Sequence, residues 1–235
     1  MSQGSVIEEE IARFDALAAR WWDPHGPMRP LHMMNAPRVA WIAERIRRHF
    51  TNASALLDVG CGAGLLAEAL AREGFSVTGL DAGAEVIAVA RDHSEEEGLN
   101  LTYRQGTAEE LATEGVKFPV ITALEIIEHV ADPAAFLASL RALLAPGGLL
   151  FLSTLNRTPK SYAVAKIGAE YILRLLPVGT HEWKKFITPV ELGGLCRAAG
   201  LRLADTAGLS YLPLQGGFKV GRDLSVNYLA MAVAD

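Results

Sequence analysis

Residues 56–70 read LLDVGCGAGLLAEAL, and no other stretch restricts the possible folds as much. The apolar run through Val59 reads as a strand, Gly60, Gly62 and Gly64 as a tight loop, and the segment from Leu65 as a helix. A strand that enters a helix through a glycine turn aims the first backbone N–H groups at whatever the loop surrounds. Such loops hold an anion or a nucleotide-like ligand. The alternation then repeats: FSVTGLD, LTYRQG, FPVITAL and LLFLSTL read as strands. EVIAVARDHSEEEG, AEELATEG and DPAAFLASLRALLAPGG read as helices, the last with Pro133 in its first turn and Gly147 past its end. Strands and helices at this spacing imply right-handed crossovers and an α/β fold, doubly wound around a mainly parallel sheet. With LRLADTAGLSYL and NYLAMAVA as the last two strands, joined by the link PLQGGFKVGRDLS, seven strands with an antiparallel edge strand are expected.

No repeat or linker divides the pattern, so a single domain over residues 1–235 is expected. Its parts are N-terminal helices and a lid (1–50), a cofactor-binding core (51–156), an apolar insertion (157–187) and C-terminal strands (188–235). Within the first part, DPHGPMRPLHMMNAPR carries four prolines and reads as an extended lid loop, with a helix from Val39 to Phe50.

Composition excludes several classes. A net charge of -5 offers no basic face for nucleic acid. Two cysteines, Cys61 and Cys196, make no disulfide framework and suit a reduced, cytoplasmic setting. The acidic start, with Glu8, Glu9 and Glu10, is unlike a secretory or transit peptide. No apolar run reaches the roughly 20 residues that span a bilayer.

The loop's ligand follows from its spacing. The dinucleotide fingerprint is G-x-G-x-x-G, whereas this loop is G-x-G-x-G and follows an acid, Asp58. A carboxylate beside a pyrophosphate is repulsive, but beside a cationic ligand it is tolerated or paired. Asp81, at the end of the second strand, stands where an acid bonds ribose hydroxyls. S-adenosylmethionine has a ribose, a positive centre and no phosphate, and so meets all three conditions. A nicotinamide oxidoreductase would need the longer spacing. A non-catalytic cofactor-binding protein satisfies the same pattern without turnover. Thr107, in QGTAEEL, borders the expected adenine site. Arg38 suits the methionine carboxylate, with a plain surface arginine as the alternative. Cys61 reads as a small buried residue, and Trp21 and Trp22 as core or lid aromatics.

ALEIIEHVADP follows the fourth strand. If it turns helically, Glu125, Glu128 and His129 share a face at i, i+3 and i+4, able to bind a hard divalent ion or to supply a general base. A phenolic acceptor, with a pKa near ~10, needs one or the other. The competing reading is a helix start capped by Asp132 with His129 packed beneath it. Further on, SYAVAKIGAEYILRLLPVGTHEWKKF places Lys166, Glu170 and Arg174 on one polar stripe of an otherwise apolar helix. That helix packs on the sheet, covers a long apolar substrate, or lies in a membrane interface with Trp183, Lys184 and Lys185 at the headgroups.

Together, ARWWD, PLHMMNAPR, LLDVGCGAGLLAE, VTGLDA, EIIEHVADP, LSTLNRTPKSYAVAKIGAEYILRLLPVGTHEWKKFI and VNY resemble the ubiquinone biosynthesis O-methyltransferase family across nearly the whole chain. The glycine loop and the EHV segment are shared with many methyltransferases, whereas STLNRTPKS with GAEYILRLLPVGTHEWKKF is specific to this family. The resemblance implies the Rossmann-like class I methyltransferase fold and methylation of a polyprenyl catechol-type phenol and of demethylubiquinol. It carries S-adenosylmethionine contacts onto Arg38, Gly60, Asp81 and Leu124, beside the Asp58 and Gly62 of the loop itself. It carries a divalent site onto Glu125, Glu128 and His129; with the spacing above, the expected catalytic groups are His129 and Glu128, and the expected ion is magnesium or zinc. It also implies peripheral contact through residues 162–187 with the inner face of the cytoplasmic membrane, and contact with other proteins of ubiquinone biosynthesis. Ala82 departs from the larger residue often found beside the ribose. A related enzyme acting on a soluble phenol is the nearest alternative.

Overall fold

The structure, a computed structural model, describes residues 6–51, 55–163, 183–213 and 216–234. Two helices open the chain, α1 (Glu8–Asp15) and α2 (Arg29–His49). The alternating core follows: β1 (Ala55–Val59), α3 (Leu65–Arg72), β2 (Ser76–Asp81), α4 (Ala84–Glu96), β3 (Thr102–Gln105), α5 (Ala108–Thr113), β4 (Phe118–Leu124), α6 (Pro133–Leu143) and β5 (Leu144–Leu155). A short turn, α7 (Pro159–Ser161), then α8 (Pro189–Ala198), β6 (Leu201–Leu212), β7 (Gly217–Gly221) and β8 (Asn227–Ala234) complete it.

Eight strands form one sheet in the order β3-β2-β1-β4-β5-β8-β6-β7. The pairs among β1–β5 are parallel, while β8 runs antiparallel between β5 and β6. Successive strand residues face opposite sides, and here both sides are covered. Leu57, Ile121, Leu150 and Leu152 pack in a cluster with Leu137 and Leu140 of α6 and Leu192 of α8. Their neighbours Leu56, Val120, Leu149 and Phe151 pack in another with Ile42 and Ile46 of α2, Leu70 of α3 and Ile87 of α4. This two-sided burial explains why the strands read as unbroken apolar runs. Helix starts are fixed by side chains: Asp132 accepts from the N–H of Ala134 (2.9 Å) and Ala135 (3.1 Å), and Thr107 and Thr188 form capping boxes with Glu110 and Glu191.

Two expectations are corrected. The lid loop expected through Arg38 is instead helical from Arg29, with Pro30 in its first turn and Pro37 inside it. Pro37 gives up one intrahelical bond. The burial of Met34, Arg38, Val39, Trp41 and Ile42 along the same helix offsets that loss. The strand count is eight, because part of the expected link forms β7, paired antiparallel with β6. β8, expected near the edge, lies inside the sheet.

Residues 164–182, including the expected apolar helix with Lys166, Glu170 and Arg174, lie outside the described residues. The C-terminal flank of that stretch returns to the chain at and just after β5: the Ile187 N–H donates to the Leu155 carbonyl (3.1 Å), and the Trp183 indole donates to the Thr158 carbonyl (3.2 Å). No helix among the described residues is long and apolar enough to cross a membrane.

β6 passes beneath the chain at residues 223–224 at Gly208, where a Cβ would run into the backbone carbonyl of Asp223. Gly208→Val is expected to lower stability by about 1–3 kcal/mol, read as a lower denaturation midpoint with an unchanged denaturant slope.

Candidate active site

The site lies at the carboxyl ends of β1, β2 and β4, where open α/β sheets bind ligands. The N–H groups of Gly60 and Cys61 donate to the Leu80 carbonyl (2.8 and 3.1 Å), tying the glycine loop to β2. Gly62 adopts a φ of +54°, and a Cβ there would strike the Trp21 ring, so no larger residue fits this turn. Asp81 locks the arrangement: its Oδ2 accepts from the Gly62 N–H (2.8 Å) and its Oδ1 from the Gly83 N–H (2.9 Å). Burial raises the Asp81 pKa, and these backbone bonds counter the rise. Cys61 is buried, and burial pushes its thiol well above the ordinary range, as suits a packing residue.

Two buried charges face the same space. Arg38 on α2 is 3% exposed. Its Nε has no partner, and one terminal nitrogen reaches the Leu31 carbonyl only at 3.5 Å. Burial lowers its pKa, while Glu125 and Asp58 pull it back up, so it is the buried cation and not the surface arginine of the alternative reading. Asp58 is 2% exposed. Its Oδ1 accepts from the Thr122 hydroxyl (2.6 Å) and its Oδ2 has no partner. Burial pushes its pKa up to about 7, against the Thr122 bond and Arg38. Both line a cavity of about 650 Å³ that also takes in Gly60, Gly62, Asp81 and Leu124. A half-bonded guanidinium and a half-bonded carboxylate in one pocket fit a ligand that carries both a carboxylate and a cationic centre. Thr107 borders the cavity as expected, with its hydroxyl accepting the Glu110 N–H of its capping box (3.2 Å).

The Glu-x-x-Glu-His segment does not turn as an α-helix. Glu125 sits in the left-handed region (φ 54°), the one non-glycine to do so among the described residues, and Ile127–His129 is a 3₁₀ turn. Such a φ costs about 1 kcal/mol. The Glu125 N–H bonds both Ser153 oxygens (3.1 and 3.0 Å), and its carboxylate accepts from the Ser153 hydroxyl (2.6 Å) and the Asn227 amide (3.2 Å). His129 turns elsewhere, with Nδ1 3.1 Å from Glu10 Oε2 and its ring edge-on to Phe14 at 5.4 Å. Glu128 is 5% exposed with Oε2 unpartnered, and burial together with neighbouring Glu125 raises its pKa. Among the described residues no three His, Cys, Asp or Glu side chains form a group that could hold a metal ion. The expected divalent site at Glu125, Glu128 and His129 therefore does not fit as placed, because the assumed helical turn is broken at Glu125.

Several residues that shape the site had no sequence signal. Glu10 and Phe14 of α1 roof the cavity. The Asp15 carboxylate accepts the N–H groups of Glu85 and Val86 (both 3.1 Å) at the start of α4. Trp22 lies against the loop as an expected lid aromatic, its indole donating to the Ala63 carbonyl (3.0 Å).

Comparison with known proteins agrees with this geometry. A family profile described as "Methyltransferase domain" matches residues 17–206. A ubiquinone biosynthesis O-methyltransferase of Cereibacter sphaeroides is 50% identical over 99% of both chains. Another from Azotobacter vinelandii is 50% identical over 96% of both. Among solved structures, the fold is similar to the magnesium protoporphyrin IX methyltransferase of Synechocystis PCC 6803 with bound SAH (TM-score 0.67, 19% identity, 97% of this chain and 100% of that one). It is similar also to the plantazolicin methyltransferase BpumL in complex with SAH (TM-score 0.69, 15% identity, 97% and 98%).

Because the fold raises the Asp58 pKa, the ligand-free protein is favoured while this carboxyl holds its proton. That contribution is complete below the ordinary value of 3.8 and is lost as pH rises through about 7. Asp58→Asn escapes the loss. Its stability relative to the wild type is expected to climb from about pH 4 to pH 7 and level off above, by at most about 4 kcal/mol, in melts followed across pH.

Proposed function

The chain belongs to the family of ubiquinone biosynthesis O-methyltransferases, and on that premise we propose that it methylates ring hydroxyls of polyprenylated catechol and quinol intermediates with S-adenosylmethionine as donor. The observation that carries the proposal is the pair of incompletely bonded buried charges, Arg38 and Asp58, in one cavity with the glycine loop.

In that cavity Arg38 holds the methionyl carboxylate and Asp58 faces the cationic part of the donor. Asp81 bonds the ribose, and Gly60, Gly62 and Leu124 form the walls. The bound donor supplies an electrophilic methyl on a positively charged sulfur whose leaving group is a neutral thioether, so no acid is needed on that side. What the chain must supply is alignment and a place for the acceptor's proton. His129 takes that role. Its Nδ1 lies 3.1 Å from Glu10 Oε2, so Glu10 orients the ring and balances the imidazolium that forms when the hydroxyl proton is taken. The proton taken by His129 would pass on to solvent. Glu128 is buried beside Glu125, and burial and that neighbour both raise its pKa; the base role is assigned to His129.

An acceptor with a polyprenyl tail resides in lipid, and residues 162–187 bring the enzyme to the inner face of the cytoplasmic membrane. Support comes from the apolar sequence of the stretch and from its described ends. Tyr162 is 42% exposed at one end, and Trp183, Lys184 and Lys185 form a turn at the other, residue types that favour headgroup level.

In a transfer assay with a prenylated catechol, His129→Ala is expected to lower kcat by about 10²- to 10⁴-fold while leaving donor affinity within about twofold; an unchanged kcat would remove the base assignment. Ile172→Asp is expected to reduce co-sedimentation with anionic liposomes and turnover of long-tailed acceptors, but not of tail-less ones. Equal liposome binding by both proteins would rule out the membrane role of this stretch.

A further inference from the structure

Part of the cavity wall is built by the β6–β7 hairpin, which carries none of the residues assigned to the donor. Tyr211 of β6 stands opposite Phe218 of β7, with ring centroids 5.3 Å apart and planes tilted by 49°. Both rings, with Leu209 and Pro213, line the same cavity as Gly60 and Asp81, and Met33 of α2 contributes to that lining. Both aromatic side chains are half-buried, so each has surface left to cover.

Charge divides this cavity into two ends. The inner end holds Arg38 and Asp58, whose unsatisfied atoms require a polar ligand. At the hairpin end the charged lining groups are Lys160 and Asp223, which bond each other at 2.6 Å. A pair that satisfies itself asks nothing of a ligand, and the rest of the hairpin lining is largely apolar. An aromatic ring offers a large apolar face at low conformational cost, and methionine adapts its shape to irregular apolar partners. These properties match the prenyl chain of a tailed phenol.

We propose that Tyr211 and Phe218 seat the first prenyl unit of the acceptor, and so select tailed phenols over tail-less ones. This rests on the methyl-transfer reading above, which fixes the inner end of the cavity as the donor's.

The test compares full-length wild-type protein with Tyr211→Ala, Phe218→Ala and the conservative Phe218→Leu. Steady-state kinetics are run with a prenylated and a tail-less catechol, donor affinity is measured by calorimetry, and equilibrium binding of the prenylated catechol is measured without donor. The alanine variants are expected to raise KM and the dissociation constant for the prenylated catechol by about tenfold or more. KM for the tail-less catechol and the donor affinity should stay within about twofold, and Phe218→Leu should recover much of the loss. Unchanged binding of the prenylated catechol overturns the inference, as does an equal loss for both acceptors or a fall in donor affinity. A wild-type protein that binds the prenylated catechol but transfers no methyl would sink the proposed activity. The binding comparison would still decide the role of the two rings.

Discussion

The Asp81 carboxylate accepts backbone N–H groups from Gly62 and Gly83, so one side chain clamps the loop after β1 to the loop after β2. The rest of the site inherits its geometry from that clamp. With the glycine loop held, Trp21 packs directly on Gly62, and α2, which follows Trp21 in the chain, brings Arg38 into the cavity. Asp81 also retains lone pairs beyond those two bonds, so a carboxylate that organises the loops can still accept from a ribose.

Buried ionic groups are weak contributors to stability unless their partners are complete. Arg38 and Asp58 are both incomplete. The folded chain therefore carries an electrostatic cost that a zwitterionic ligand relieves, which gives donor binding a physical drive beyond shape. The contrast with Glu125 is instructive. Its carboxylate is bonded by Ser153 and Asn227 and so secures the loop after β4.

How much of this was legible in the sequence depended on the range of the interaction involved. The glycine loop, Asp58 and Asp81 at strand ends, and the cap at Asp132 are local patterns, and each lies where its spacing placed it. The apolar strands were legible because both faces are buried. Long-range pairings were not: Glu10 meets His129, and Thr122 meets Asp58, across distances in sequence that no periodicity encodes. Two local readings failed for physical reasons. The prolines between Pro24 and Pro37 suggested a loop, yet tertiary burial of α2 overrode their propensity. The i, i+3, i+4 spacing of Glu125, Glu128 and His129 implied a shared face only on an α-helix, and the left-handed φ of Glu125 removes that helix. β7 escaped notice because FKV among glycines is too short to show alternation.

The roof formed by α1 has a mechanical meaning of its own. No residue of this helix is fully buried, and among its contacts are two polar ties, Glu10 to His129 and Asp15 to the start of α4. Lifting it would break those ties and no sheet hydrogen bond, so it belongs to the low-stability end of the fold. A helix held in this way can lift without disturbing the sheet, and lifting would part Glu10 from His129.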